Sequence, residues 1–468
     1  MSRIKKLLSN TAVLGVGTFA SKLLVFFLMP FYTAWLSTSD FGAAELVTSV
    51  ANFLIPVACV GLSTGVFRFA AEGDSDRTAV FSSCLTLMCV SLGAFLVLSP
   101  LLLLVEYLRK YVWLIVLYVI CADLQALCAH YVRAIDRTPL FAAQGVLNTL
   151  ITVGCNVLFL YGFGMGVTGY VLSVVIGNVL TTAFLFFKAR LWQVIRLRRT
   201  DRTLMKALLV FSLPLIPTTL CWLITDLSDR SMVTAICGAS ENGIYSAAYK
   251  IPTVVTLVAS IFLQAWQFSA ITEASGEEER GRFYSSVFGG YLSLVMIGAS
   301  GLILLSRWLS GLLLADSYFG AWQYMPTLLC AAAMEAIVSF LASVYLVKKK
   351  SMHSFLTALV GALSNILLNF LLIPRMGALG AAIATLASYA LVMIVRIIDT
   401  QMLLRFRLYL PRMIASIALL FLLCAVMTVR TLDGRAWWAL ALTAAIVALN
   451  APALLGAAVR LLRARRVR

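Results

Sequence analysis

The chain has 468 residues, of which 62% are hydrophobic and only 12% charged, with a formal net charge of +17. Ordinary soluble domains are nearer half apolar and a quarter charged, so soluble and disordered classes are excluded. Apolar runs of about 20 residues or more, in place of weak alternation, exclude a porin-like barrel and define an all-α polytopic membrane protein.

The basic start, MSRIKKLL, leads into an apolar run too long for a secretory signal, which reads as a retained first span. About fourteen spans follow by hydropathy, from roughly 10–36 to roughly 436–459. The second (41–70), seventh (207–236) and eighth (243–271) are long enough to tilt, kink or project. Prolines at Pro56, Pro214, Pro217 and Pro252 fall in those three spans, and each frees a carbonyl and favours a bend.

With the N-terminus inside, cytoplasmic segments hold 27 Lys or Arg and outer loops hold 6. That bias assigns both termini to the cytoplasm. It also accounts for the basic linker near 188–206 and for the tail RLLRARRVR without nucleic acid. The expected location is the cell's inner (plasma) membrane.

This count leaves four basic residues inside spans: Lys22, Arg68, Arg230 and Lys250. A charge at the bilayer centre is costly by about 3 kcal/mol on insertion scales. Snorkelling suits Arg68, near the inner end of its span. For Arg230, Asp226 stands four residues N-terminal, the favoured spacing and order for a helical ion pair. Five acids also lie within spans: Glu45, Asp123, Asp226, Asp229 and Glu335. The basic four are candidate ligands for an anion in one cavity, with Arg230 and Lys250 foremost. The acids are candidates for ion coupling or gating, with Asp229 the acid left free to exchange.

The ten cysteines lie almost all within apolar runs, with no C-x-x-C, and read as small buried hydrophobes. Neither His130 nor His353 has a second ligand at metal spacing, so no metal site and no cofactor are expected.

The chain repeats. SDFGAAEL after the first span matches SENGIYSAAY after the seventh. Asn156 leads to GMGVTGYVLS and Asn369 to RMGALGAAIA, with Gly166/Gly169 and Gly377/Gly380 both 211 residues apart. Asp123 and Glu335 are 212 residues apart at mid-span. Two six-helix lobes around a central cavity are therefore expected, plus two appended helices. The boundaries are 1–200, 201–400 and 401–468. Internal repeats of this kind mark secondary transporters.

The two lobes, the SDFG and SENGIY turns and the run NILLNFLLIPRMGALGAAIAT (Asn365 to Thr385) resemble the Wzx-type O-antigen and polysaccharide flippases of the MATE-like superfamily, which are related to the lipid II flippases. The resemblance implies a V-shaped pair of lobes. It also implies an undecaprenyl-diphosphate-linked oligosaccharide as substrate, moved from the cytoplasmic to the outer leaflet. Lys22, Arg230 and Lys250 match a cationic cavity by helix and depth, whereas Arg68 departs towards the cytoplasmic rim.

The expected transport is alternating access coupled to Na⁺ or H⁺, since no Walker A motif occurs. Expected partners are the lipid-linked glycan and membrane lipid, with a polysaccharide polymerase as candidate associate and the protein itself a monomer. Two alternatives are carried forward: a lipid II flippase, and a multidrug cation exporter of the same fold, whose cavity should be dominated by acids and aromatics. An enzyme is disfavoured, because the longest outer loop, about 306–323, bears only Arg307 and Asp316 as charges.

Overall fold

The computed structural model describes residues 28–70, 76–196, 200–213, 215–272, 277–348, 350–428 and 434–466. The chain forms two compact units, Met1–Thr234 and Ala235–Arg468. Among the described residues eleven helices are long and apolar enough to cross a membrane, or twelve when one bent pair is taken as a single span. In lipid no water can satisfy a stray peptide group, so apolar runs this long close their hydrogen bonds internally as helices. Residues 10–27 of the expected first span lie outside the described residues, and its last turns form the short helix Met29–Trp35.

Unit 1 opens with α1 (Met29–Trp35), α2 (Thr38–Ala58) and α3 (Leu62–Ala70). It continues through α4 (Arg77–Leu98), α5 (Val112–Ala134), α6 (Thr138–Asn156), α7 (Gly166–Lys188) and α8 (Arg202–Ser212) to α9 (Leu215–Cys237), whose last residues belong to unit 2. The SDFG turn is a helix start: the Ser37 hydroxyl accepts from the Asp40 amide at 3.1 Å and donates to the Asp40 carboxylate at 2.9 Å. Asp76 and Asp201 cap α4 and α8 in the same way. α5 is the core helix, packed by α2, α3, α6 and α7.

The long second span is broken. α2 ends two residues after Pro56, and Val60 and Gly61 both take positive φ, 52° and 66°. The Gly61 amide reaches back to the Pro56 carbonyl at 3.2 Å. A Cβ on Gly61 would stand 3.1 Å from the Ser212 carbonyl oxygen, so glycine serves both the turn and the close approach of α8.

Unit 2 comprises α10 (Ala239–Lys250), α11 (Pro252–Thr272), α12 (Glu277–Leu313), α13 (Met325–Val347), α14 (Ser351–Met376), α15 (Ala378–Leu403), α16 (Leu410–Thr428) and α17 (Arg435–Arg466). α10 and α11 meet at a 41° bend next to Pro252. α13 is the core helix here, packed by α11, α12, α14, α15 and α16. The appended pair α16 and α17 packs on α12.

The repeat shows in the core helices. The core helices α5 and α13 are each 23 residues long, with Asp123 and Glu335 at their middles. In unit 2 a Cβ on Gly380 would stand 2.6 Å from the Leu372 backbone, so this glycine lets α15 cross close to α14. Asn156 and Asn369 are both buried.

Two expectations need correction. Cys89 is exposed rather than buried, although Cys59, Cys84, Cys128, Cys221 and Cys330 are buried as expected. Arg396, one of the 27 basic residues assigned by hydropathy to cytoplasmic segments, lies inside α15 and is only 1% exposed. Its Nε donates to Thr357 Oγ1 at 3.0 Å and its Nη1 to the Val338 carbonyl at 2.9 Å. α15 runs on to Leu403, so an arginine placed at a span end by hydropathy is still within the bundle.

Candidate functional site

α2 and α9 bring the charged residues of unit 1 together. Glu45 lies two turns into α2, on the face that also carries Ser49, and is 2% exposed. Arg230 projects from α9 and is 8% exposed. Its Nη1 is 3.2 Å from Glu45 Oε2 and its Nη2 is 3.4 Å from Asp226 Oδ1. Nη1 also donates to the Ser49 hydroxyl, which in turn donates to Asp226 Oδ2 at 3.4 Å. One guanidinium thus holds two carboxylates and a hydroxyl, using the planar fork that lysine lacks.

A second layer fixes Glu45. Tyr170 of α7 donates its hydroxyl to Glu45 Oε1 at 2.9 Å. The Tyr170 ring stands edge-on to Tyr32 of α1 at 5.3 Å and to Phe41 at 6.2 Å. Asn156 donates to the Tyr32 hydroxyl at 2.8 Å. The repeat-marking Asn156 therefore positions the aromatic wall behind the acid.

Asp229 precedes Arg230 on α9 and is 1% exposed. It has interactions of its own, so it is not the free acid expected from the sequence. Asp123 is 0% exposed in α5, facing the Cys59 thiol at the α2–α3 break. Beyond that thiol, its oxygens have no hydrogen-bond partner among the described residues. One turn earlier on α5, Tyr118 donates to Asn52 of α2 at 3.2 Å.

The remaining candidates stand elsewhere along the chain. Arg68 is exposed in the last turn of α3. Lys250 is partly buried at the end of α10, at the bend before Pro252. Glu335 is partly buried in α13. Lys22 lies outside the described residues.

The i,i+4 pair of Asp226 and Arg230 was legible in the sequence. Glu45 as a carboxylate partner of Arg230 was not, nor were Ser49, Tyr170, Tyr32 and Asn156. Glu45 and Ser49 do stand four apart on one helix face, but the same is true of many pairs in apolar helices.

The helical fold belongs to a known class. Solved structures similar to the chain include the inward-facing form of a multidrug resistance MATE family transporter of the MOP superfamily. It is 15% identical, covers 84% of this chain and 95% of that one, and has a TM-score of 0.69. The lipid II flippase MurJ, in an inward closed conformation, is 14% identical over 98% of this chain and 100% of its own, with a TM-score of 0.71. A MOP superfamily transporter from Pyrococcus furiosus, described as having a binding pocket of reverse polarity, is 13% identical over 88% and 96%, with a TM-score of 0.62. The fold is that of the MOP-superfamily transporters.

Within that class the family is shown by sequence. Residues 7–275, more than half of the chain, match the model of the polysaccharide biosynthesis protein family, and the chain belongs to it. No curated protein sequence is significantly similar to it.

Proposed function

We propose that this protein is a flippase that carries an undecaprenyl-diphosphate-linked oligosaccharide from the cytoplasmic to the outer leaflet of the inner membrane. Both termini are cytoplasmic on this reading, which rests on the distribution of basic residues. The observation that carries it is a buried guanidinium, Arg230, in a member of the polysaccharide biosynthesis family. A diphosphate head group is too strongly anionic to cross bare lipid, and a guanidinium is its natural forked ligand.

Arg230 and Lys250 are the primary phosphate ligands, joined by Lys22, with Arg68 at the rim. Glu45 and Asp226 hold Arg230 between cycles and release it when phosphate displaces them. Once released, a buried carboxylate needs a proton or Na⁺, since a buried charge persists only when paired. Glu45, Asp226 and Asp229 therefore couple transport to an ion gradient, while Asp123 and Glu335 gate the core helices. Net movement then follows alternating access.

The test is surface polysaccharide in cells carrying Arg230→Ala or Lys250→Ala at normal protein level. Loss of polymer is expected, and full retention in both variants removes the claim. In proteoliposomes, flipping by Asp226→Asn and Asp229→Asn should lose its dependence on an ion gradient.

One observation favours a second reading. Around Arg230 stand two carboxylates, Glu45 and Asp226, an acidic excess that suits a cation exporter. Cation efflux by the wild-type protein with no effect on surface polymer would favour that reading. Selective loss of cell-wall precursor export on depletion would favour a lipid II flippase.

A further inference from the structure

The connector between α15 and α16, Leu404 to Tyr409, reads LRFRLY. It leaves α15 in extended conformation, Leu404 having φ −151° and ψ 112°. Burial alternates along it: Leu404, Phe406 and Leu408 are 4%, 7% and 6% exposed, while Arg405 and Arg407 are exposed. In extended backbone residues two apart share a face and stand roughly 7 Å apart.

This connector is pinned. Gln401 donates to the Phe406 carbonyl at 3.0 Å and accepts from the Phe406 amide at 3.4 Å. The Arg407 amide donates to Ser285 of α12 at 2.7 Å. Phe406 packs on Tyr284 and Phe288, at 5.5 and 6.0 Å between ring centroids. A Cβ on Gly281 would stand 2.4 Å from the Arg405 carbonyl oxygen, so α12 accepts the strand only through a glycine. The two guanidinium groups are thus presented by a fixed backbone.

They line a groove of about 1080 Å³ together with Arg282, Glu277 and Glu278 of α12. Glu277 is already engaged by Lys348, and Glu278 reaches Arg282 only at 3.9 Å, with its side chain 89% exposed. Neither Arg405 nor Arg407 has a carboxylate partner among the described residues. The groove therefore keeps a positive balance. Met402 also lines it and is 74% exposed. Met402 ends an apolar stripe on α15, with Leu391, Ile394 and Ile398 exposed by 41%, 53% and 60%. These positions share one helix face.

A positive groove continuous with an apolar stripe matches a molecule with an anionic head and an acyl tail. We infer that Arg405 and Arg407 hold the headgroup of an anionic phospholipid, whose acyl chain lies along Leu391, Ile394, Ile398 and Met402. On the orientation proposed above, this lipid comes from the cytoplasmic leaflet. Bound there, it braces the joint between α15 and the appended pair α16–α17.

The experiment uses the purified full-length protein and native mass spectrometry in micelles doped with phosphatidylglycerol or phosphatidylcholine. The wild type should retain phosphatidylglycerol in preference, and the preference should fall with salt. Each basic side chain near an anionic surface is worth roughly a fivefold change in affinity, so Arg405→Gln with Arg407→Gln should lower retention roughly 25-fold. The double lysine variant should keep most of it. Equal retention of the two lipids by the wild type overturns the inference, with no variant needed. So does displacement of phosphatidylglycerol by soluble inorganic diphosphate at equal concentration, which would mark a free-phosphate site. Transport assays are independent of this outcome, so its failure leaves the flippase reading standing.

Discussion

Arg230 of α9 and Glu45 of α2 form an ion pair at 3.2 Å in which both side chains are more than 90% buried. Breaking a buried pair by removing one partner leaves an uncompensated charge and is destabilising by about 3–5 kcal/mol. Arg230→Met alone should therefore lower the thermal stability of the purified protein sharply. Arg230→Met combined with Glu45→Gln should recover much of that loss without recovering transport. If the double variant is no more stable than the single one, the pair is not the source of the cost.

Tyr170→Phe removes one hydrogen bond to a carboxylate, worth about 1.5–3 kcal/mol. The ring contact with Tyr32 survives. A modest drop in melting temperature is expected, with surface polymer reduced but present. A loss as severe as that of Arg230→Met would mean that the hydroxyl does more than orient Glu45.

Arg396 satisfies the Val338 and Ser354 carbonyls and Thr357 at once, and lies 5.6 Å from the Tyr345 ring. Arg396→Met should cost about 3 kcal/mol or more by leaving several polar groups unmet. Arg396→Lys should not rescue, because an ammonium cannot span the same fork of acceptors. Protein yield and thermal unfolding report both. Rescue by lysine would reduce the role of this residue to charge alone.

Two glycine substitutions should act with opposite sign. At Gly380 a Cβ meets backbone at 2.6 Å, so Gly380→Ala should destabilise by about 1–3 kcal/mol. At Gly301, inside α12, nothing lies within 4 Å, and Gly301→Ala should stabilise by about 0.5–1 kcal/mol. Melting temperatures of the two variants, compared with wild type, decide it.

The proposed orientation has its own check. A cysteine at Thr200 should resist a membrane-impermeant maleimide in intact cells and react after lysis. A cysteine at Asp316, between α12 and α13, should react in intact cells. The reverse pattern inverts the topology and places the Arg405–Arg407 groove in the outer leaflet.

Several features were legible because they are local. Apolar runs of membrane length specify helices wherever they occur, since lipid offers the backbone no other partner. Pro56 and Pro252 announced bends, and breaks fall just after the first and just before the second. Asp226 and Arg230 were readable as a pair because helix geometry alone brings positions four apart together. Asp123 and Glu335 were matched by spacing, and each stands at the middle of the core helix of its unit.

What the sequence by itself determined is the helical membrane class of the chain and the one-turn spacing of Asp226 and Arg230. The tertiary structure decided which charges meet. Glu45 reached Arg230, and Tyr170 reached Glu45, through packing of α2, α7 and α9 that no periodicity encodes. It also drew Arg396 into the bundle, because α15 outruns its apolar stretch and α13 and α14 supply the acceptors. The physical reason is range. Hydropathy and helical spacing act over one or two turns, whereas a buried charge is stabilised by partners that only the packed fold brings within about 3 Å.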